Sequence, residues 1–266
     1  EEQLTRLVLG DAVRCDLGHV RLAQLPTGVA NAKPIENAWL TEEGLHRFLN
    51  GELPKKHHIV QQSDLFHHEE RLGIGRNVQL ATVKSGLLYQ TEHVRLAPDV
   101  EIGIRVRLPK IVLTPFVESI TQQPLQRFGG EGRMAYLRVE KGISAKKLVT
   151  DKPVRLLMLL TDMLTDTDFA QQPISALQRT QHQGIDCWEG KLNGIAVRLW
   201  SVVSAKTRRI GGWDVRHNRP REVQSYIPAG SCFFIEAMDD QALNALTDHQ
   251  LGRCTDFDFG TLVCAH

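Results

Sequence analysis

The sequence predicts an α+β protein made of two ferredoxin-like folds packed together, and three observations point there. Apolar and polar residues alternate in short runs bounded by Gly, Pro and Asp, the pattern of antiparallel hairpins. Residues 154–161 and 195–203 are apolar nearly throughout, as strands buried on both faces are. Twice, at 115–140 and 240–264, a helical pattern runs into a glycine-bearing loop and then a strand, which suggests two similar halves. Among small α+β sandwiches the ferredoxin-like arrangement is the commonest. The 266 residues suffice for two small domains, expected at 1–150, with a long inserted loop, and at 151–266.

The elements follow in order. Residues 6–26 alternate about a turn at Gly18-His19 and predict a hairpin with Leu7, Leu9, Val20 and Leu22 inward. Leu45, Phe48 and Leu49 fall at helical spacing, so 41–53 reads as a helix with Thr41 as N-cap, Glu42 and Glu43 at the positive end of its dipole, and Pro54 as the stop. The next thirty residues show weak periodicity and read as a long loop. Strands are expected at 86–96 and 100–108, joined at Pro98-Asp99. A helix over 115–127, kinked at Pro124, leads to a glycine-rich loop and a strand at 134–140. An irregular polar stretch separates the two buried strands. Finally, 231–237 reads as a strand, 240–251 as a helix with Ala242, Leu243 and Leu246 inward, and 257–264 completes the unit.

Composition narrows the function. Hydrophobic residues make up 42% and charged residues 24%, which excludes a disordered, collagenous or coiled-coil chain. The longest apolar run, 156–160, falls far short of the roughly 20 residues of a membrane span, and 1–6 carries no export signal, so a cytoplasmic protein is expected. Five cysteines, an odd number without a C-x-x-C pair, exclude a disulfide framework and a zinc knuckle and read as mostly packed thiols. A net charge of +1 means that any nucleic-acid contact must be a local stripe of cations.

Two motifs offer such a stripe. In Gly129-Gly130-Glu131-Gly132-Arg133, three glycines free the backbone for positive φ and close approach to an anion, with Arg133 as donor. That describes a phosphate cradle, with Arg127 and Arg76 as further cations, or equally a flexible turn with a solvated arginine. The Gly-Lys-Ser/Thr ending of a nucleotide-binding P-loop is absent, so neither NTP hydrolysis nor any cofactor is expected. In the second motif Lys206, Arg208, Arg209, Arg216, Arg219 and Arg221 surround Gly211-Gly212-Trp213, opposed within the stretch by Asp214 alone. Cations interleaved with an aromatic suit a single-stranded nucleic acid, and Trp213 is either a stacking platform or a core anchor. Glu69-Glu70-Arg71 reads as a clasp and Arg76 as an RNA contact. His57, His58, His67 and His68 could act as acid and base in metal-free RNA cleavage, but no spacing singles out a pair. No metal-ligand spacing appears, and Asp162, Asp166 and Asp168 read as a polar loop.

An ordered series carries a family resemblance: Glu70-Arg71-Leu-Gly-Ile-Gly-Arg76, Ser85-Gly86-Leu-Leu-Tyr89, Gly129-Gly130-Glu131-Gly132-Arg133, Ile210-Gly211-Gly212-Trp213-Asp214 and Ile227-Pro228-Ala229-Gly230-Ser231. With these motifs the chain resembles the third subunit of the Cmr complex, the RAMP-superfamily protein of type III-B CRISPR systems. The resemblance implies paired RRM-type ferredoxin-like folds. It also implies a non-catalytic subunit that holds the 5′ tag of the guide RNA beside the large polymerase-like subunit and a backbone RAMP subunit. The equivalent subunit of a type III-D complex, and a guide-processing endoribonuclease of the same superfamily, are the alternatives. The family's opening strand, with its Arg-Asp pair and Pro-Phe turn, is not found after Glu1, so the N-terminal fold is expected to be incomplete. Asp258-Phe259-Gly260 stands where the family has a Gly-Phe-Gly turn.

Overall fold

The computed structural model describes residues 4–77, 79–106, 108–129, 132–140, 148–150, 153–238 and 243–266. In chain order, strands β1 (Val8–Cys15) and β2 (Gly18–Gln24) form a hairpin, β3 (Ala38–Leu40) precedes helix α1 (Glu42–Leu49), and β4 (Ile59–Gln61) pairs back on β3 before the short α2 (Gln62–Leu65). A long ribbon follows, β5 (Phe66–Asn77) and β6 (Thr82–Leu96), then α3 (Lys110–Gln122) and the hairpin β7 (Leu125–Arg127) and β8 (Met134–Tyr136). Next come β9 (Leu156–Leu159), β10 (Met163–Leu164), β11 (Leu177–His182), β12 (Ile185–Leu192) and β13 (Ile195–Val203). The chain closes with β14 (Arg208–Ile210), β15 (Trp213–Asp214), β16 (Arg219–Pro220), β17 (Gln224–Ile227), β18 (Cys232–Ala237) and β19 (Leu262–Ala265). This is a sheet-rich α+β protein. It clusters into two compact units, 1–64 with 148–266, and 65–147.

The first unit is built on a six-stranded antiparallel sheet in the order β11-β12-β13-β18-β9-β19. All four residues of β9 are buried, which is why 154–161 reads apolar without alternation. Leu156 and Met158 face one side with Val263 and Ala265 and pack against Leu49 of α1. Leu157 and Leu159 face the other with Phe233, Ile235, Leu262 and Cys264, under Leu243, Leu246 and Leu251. Each such side chain contributes about 1.5–3 kcal/mol of burial.

Helix α1 begins as expected: the Gly44 N–H donates to Thr41 Oγ1 at 3.2 Å. It ends at Leu49, short of the expected 53, because the Asn50 N–H turns back to carbonyls of the last turn and Gly51 takes φ 74°. Gly44 is required here for space, since a Cβ would lie 2.6 Å from that of His58. The β1–β2 hairpin is seated through the Ala23 N–H on Ser201 Oγ at 3.2 Å and the His19 N–H on Asp186 Oδ2 at 3.0 Å. Its two-residue turn is Asp16-Leu17 rather than Gly18-His19, because Cys15 pairs with Gly18. Leu22, expected inward, is exposed. Beneath the hairpin Arg198 is held between Glu189 and Glu236, with Arg21 stacked over the Trp200 ring.

Several expectations require correction. The expected loop after Pro54 contains the 12-residue strand β5. Strand β6 pairs with β5 and not with 100–108, of which 101–106 has no regular structure. Alternation failed as a guide because both ribbon faces are open: Leu72 is 74% exposed on one and Tyr89 46% on the other. Helix α3 starts five residues before Pro115 and stops at Gln122, and Pro115 sits inside it. The polar stretch before 195 holds β10, β11 and β12. The helix expected at 240–251 is a 3-10 turn at Leu243–Leu246 with both leucines buried, and Ala242 lies outside the described residues. The final strand is β19 alone, preceded by a 3-10 turn at Thr255–Phe257. Of the cysteines, Cys187 and Cys264 are buried, whereas Cys15 and Cys254 are exposed. No helix among the described residues is long and apolar enough to cross a membrane.

The second unit has no hydrophobic residue among its described members that is buried. Its ribbon is held by backbone pairing and by Glu69, which accepts from Arg71 at 3.0 Å and contacts Arg95 at its other oxygen. Gly73 and Gly75 let Tyr89 and Leu87 fold across it; a Cβ on Gly73 would stand 2.2 Å from Tyr89 Cζ.

Two measurements check this architecture. Replacing Leu157 by Ala should cost about 2–5 kcal/mol in denaturant unfolding, because both faces of β9 are packed and the site cannot collapse. The Arg95 and Arg71 hydrogen bonds hold the Glu69 carboxyl at about 2 instead of 4.5, so NMR titration should find it ionised until the pH falls through that value. A depressed carboxylate stabilises above its unfolded pKa and loses that contribution as pH falls through the folded one, so the clasp should open only in strong acid.

Candidate nucleic-acid interface

The glycine-rich loop joins β7 and β8, with Arg127 paired to Met134 and the loop closed by the Phe128 N–H on the Arg133 carbonyl at 3.0 Å. Gly129 and Gly132 take φ of 85° and 66°, a backbone that an L side chain adopts only with strain. A Cβ at Gly132 would meet nothing within 4 Å, and one at Gly129 only the Arg133 guanidinium at 3.6 Å. These glycines therefore serve backbone geometry, and the space above them is open. Gly130 and Glu131 lie outside the described residues. Arg127 is exposed, Arg133 half-buried. Arg76, also exposed, stands on a different hairpin, the β5–β6 ribbon, opposite Val83.

The second cluster belongs to the first unit. Strand β17 pairs with β14 on one side and β10 on the other, and β15 pairs with β16, so the stretch expected as loop is a set of short hairpins. Trp213 is 53% exposed, which removes it from the core. It lies opposite Pro220 at the start of a tight turn in which Asp214 accepts from the His217 backbone N–H at 3.1 Å and ring Nδ1 at 2.7 Å. Those bonds hold the Asp214 carboxyl below its usual range. The one acid of the cluster is thus occupied by its own turn. Lys206, Arg209, Arg216 and Arg219 are exposed and form no ion pair with a described residue.

Arg208 differs. Its guanidinium bonds Asp162 Oδ2 at 3.2 Å, and the other oxygen of Asp162 accepts the Ala229 N–H at 2.8 Å. Asp162, read from sequence as part of a polar loop, is a clasp holding the Ile227–Ser231 turn against β14. The Asp258-Phe259-Gly260 turn is likewise engaged within the protein: Gly260 N–H donates to the Asp162 carbonyl, and a Cβ there would lie 1.9 Å from the Leu251 carbonyl oxygen. Sequence reasoning missed Arg253 and Tyr226. An isolated bridge sets Arg253 beside Leu164, which pairs with Tyr226, which pairs with Arg208. No local signal marks a residue that the sheet brings in from 45 positions away.

The histidines are dispersed. His58 is buried, its Nδ1 accepting from the Lys55 N–H at 3.1 Å and its Nε2 3.5 Å from Glu43. His68 Nδ1 lies 2.6 Å from Glu92 on the ribbon. Among the described residues no group of three or more His, Cys, Asp and Glu could hold a metal.

Comparison with known proteins adds the following. Solved structures that share the similarity include type III-B Cmr-beta bound to cognate target RNA (18% identity, TM-score 0.37) and the same complex with target RNA and AMPPnP in state 1 (17%, TM-score 0.36). Each match covers 73% of this chain, which spans about half the length of those chains, 50% and 51%. No curated protein matches. The family model described as CRISPR-associated protein (Cas_Cmr3) matches residues 1–265, and the chain therefore belongs to the Cas_Cmr3 family of CRISPR-associated proteins.

Proposed function

We propose that this chain is a non-catalytic subunit of a type III-B effector complex, holding the guide RNA near its 5′ tag beside a large polymerase-like subunit and a backbone RAMP subunit. One observation carries the proposal: an open Trp213 ring among exposed cations, with Asp214, the one acid within 206–221, taken up by His217. A single strand binds such a surface because phosphates pair with the cations while a base stacks on the ring. Membership of the Cas_Cmr3 family supports the CRISPR-complex part of this reading. The open loop of Gly129, Gly130, Gly132 and Arg133, with Arg127 and Arg76, is a second phosphate contact within this reading. Catalysis is not part of it: a general base must reach the proton it takes, and His58 is buried.

The same reading takes 151–266 as the second of two ferredoxin-like folds, with 1–150 holding the first. Supporting this, β13-β18-β9-β19 has the strand order and antiparallel pairing of a split βαβ unit whose strands in chain order are β9, β13, β18 and β19. The first crossover holds β10–β12 in place of a helix.

The experiment is binding of tagged guide RNA to complex assembled with and without this subunit, across a salt series. Trp213→Ala should weaken binding by about 1–3 kcal/mol with the salt slope unchanged. Arg209→Ala, Arg219→Ala and Arg133→Ala should each make the slope shallower by about 0.7, one phosphate apiece. Equal affinity and slope in all four variants would overturn the RNA-holding role.

A further inference from the structure

The Leu-Gly-Ile-Gly and Leu-Leu-Tyr stretches, both within motifs that carry the family resemblance, meet in the second unit and have no part in the function proposed above. They run antiparallel on the β5–β6 ribbon, with Gly73 paired to Tyr89 and Ile74 to Leu88. Cross-strand partners share a face and successive residues alternate, so the register sorts 66–74 and 88–96 into an even-numbered and an odd-numbered face. On the odd face the Tyr89 ring crosses Gly73: a Cβ on the glycine would stand within 2.6 Å of the ring's Cζ, Cε2 and hydroxyl. Gly73 does not take a positive φ, so a glycine is needed here for room and not for backbone conformation. The ring is thus backed by the main chain of β5 while 46% of the residue stays exposed.

Charge separates the two faces. The odd face carries Arg71 and Arg95 against the single carboxylate of Glu69, which both contact, leaving one net positive charge beside the ring. The even face carries Glu70 and Glu92 with no arginine or lysine, and it holds the exposed Leu72, Ile74 and Leu88. A polyanion is repelled by the even face and attracted to the odd one. A protein seeking apolar area would choose the reverse. An aromatic ring held against main chain keeps its orientation before a ligand arrives, and any base can stack on its outer side. Arg71 stands two residues along β5 from Gly73, about 7 Å, close enough to hold a phosphate next to a base on Tyr89.

Resting on the RNA-holding role above, we propose that Tyr89, laid over Gly73, is a stacking platform for one base of the bound single strand, with Arg71 on the adjoining phosphate. The odd face of the ribbon is then the RNA face, and the two glycine-and-tyrosine stretches form one device, one supplying the ring and the other the space beneath it.

The test measures binding of a short single-stranded oligoribonucleotide to the whole chain across a salt series. Tyr89→Ala should weaken binding by about fivefold to a hundredfold, the loss of one stacked base, with the salt slope unchanged. Tyr89→Phe keeps the ring and should bind as the wild type does. Gly73→Ala should also weaken binding, because its methyl group displaces the ring, and should add nothing further to Tyr89→Ala. Arg71→Ala should make the slope shallower by about 0.7, and an unchanged slope would remove the phosphate contact. Wild-type affinity in Tyr89→Ala, or a loss in Tyr89→Phe equal to that in Tyr89→Ala, would overturn the platform; the RNA-holding role would survive this if Trp213→Ala and Arg219→Ala still acted as expected. No binding by the wild type at any salt would remove both. With 5-bromouridine in the strand, ultraviolet cross-linking of the wild type to Tyr89 keeps the question decidable if a variant fails to fold, and cross-links confined to 206–221 or 129–133 would count against the platform.

Discussion

Burial of β9 on both faces is the constraint from which the first unit follows. A four-residue strand with no exposed side chain must be covered twice, and its two neighbours decide how. Strands β18 and β19 repeat its alternation, so one face collects Leu156, Met158, Val263 and Ala265 and calls for the α1 stripe ending at Leu49, while the other collects Leu157, Leu159, Phe233 and Leu262 and calls for the 3-10 turn at Leu243–Leu246. The chain segments supplying these covers lie more than a hundred residues apart, at 42–49 and 243–246, which ties the N-terminal segment to the C-terminal sheet.

The second unit stands on different physics. Its described residues bury no apolar side chain, and its order rests on ribbon hydrogen bonds, a Glu69 clasp to two arginines, and glycines at 73 and 75 that admit the rings and branches of residues opposite. The glycines in Leu-Gly-Ile-Gly thus serve packing across a ribbon. In the loop at 129–132 they serve positive φ under open space. One residue type carries two physical meanings that sequence alone leaves merged.

Legibility in the sequence followed how local each signal was. Thr41 capping α1, the apolar runs of β9 and β13, and the first hairpin depend on neighbours in sequence and were readable. The β11–β12–β13 meander was missed although it carried a signal: Gln183-Gly184 and Asn193-Gly194 take paired positive φ in two-residue turns, and Asn-Gly between apolar runs is a strong hairpin signal. Reading 162–194 by its polarity hid that signal. The β5 half of the ribbon was hidden for the opposite reason: a strand with two solvated faces has no period of two, whereas 86–96 was read as a strand and lies within β6. The clasp made by Asp162 and the place of Arg253 depend on pairing between distant strands, and nothing local announces them.

The two edges of the six-stranded sheet are unlike. Beyond β19 the Leu262 amide and carbonyl are taken by His249 and Asp248, and the His266 N–H by Leu49, so that edge is closed to a further strand. Beyond β11 no strand follows among the described residues, and exposed Gln178, Arg179 and Gln181 stand along it. Open-ended polymerisation through this sheet needs two free edges on every copy, one to give and one to receive. With a single free edge, two copies meeting through it would block each other, and growth by sheet extension would stop at the pair.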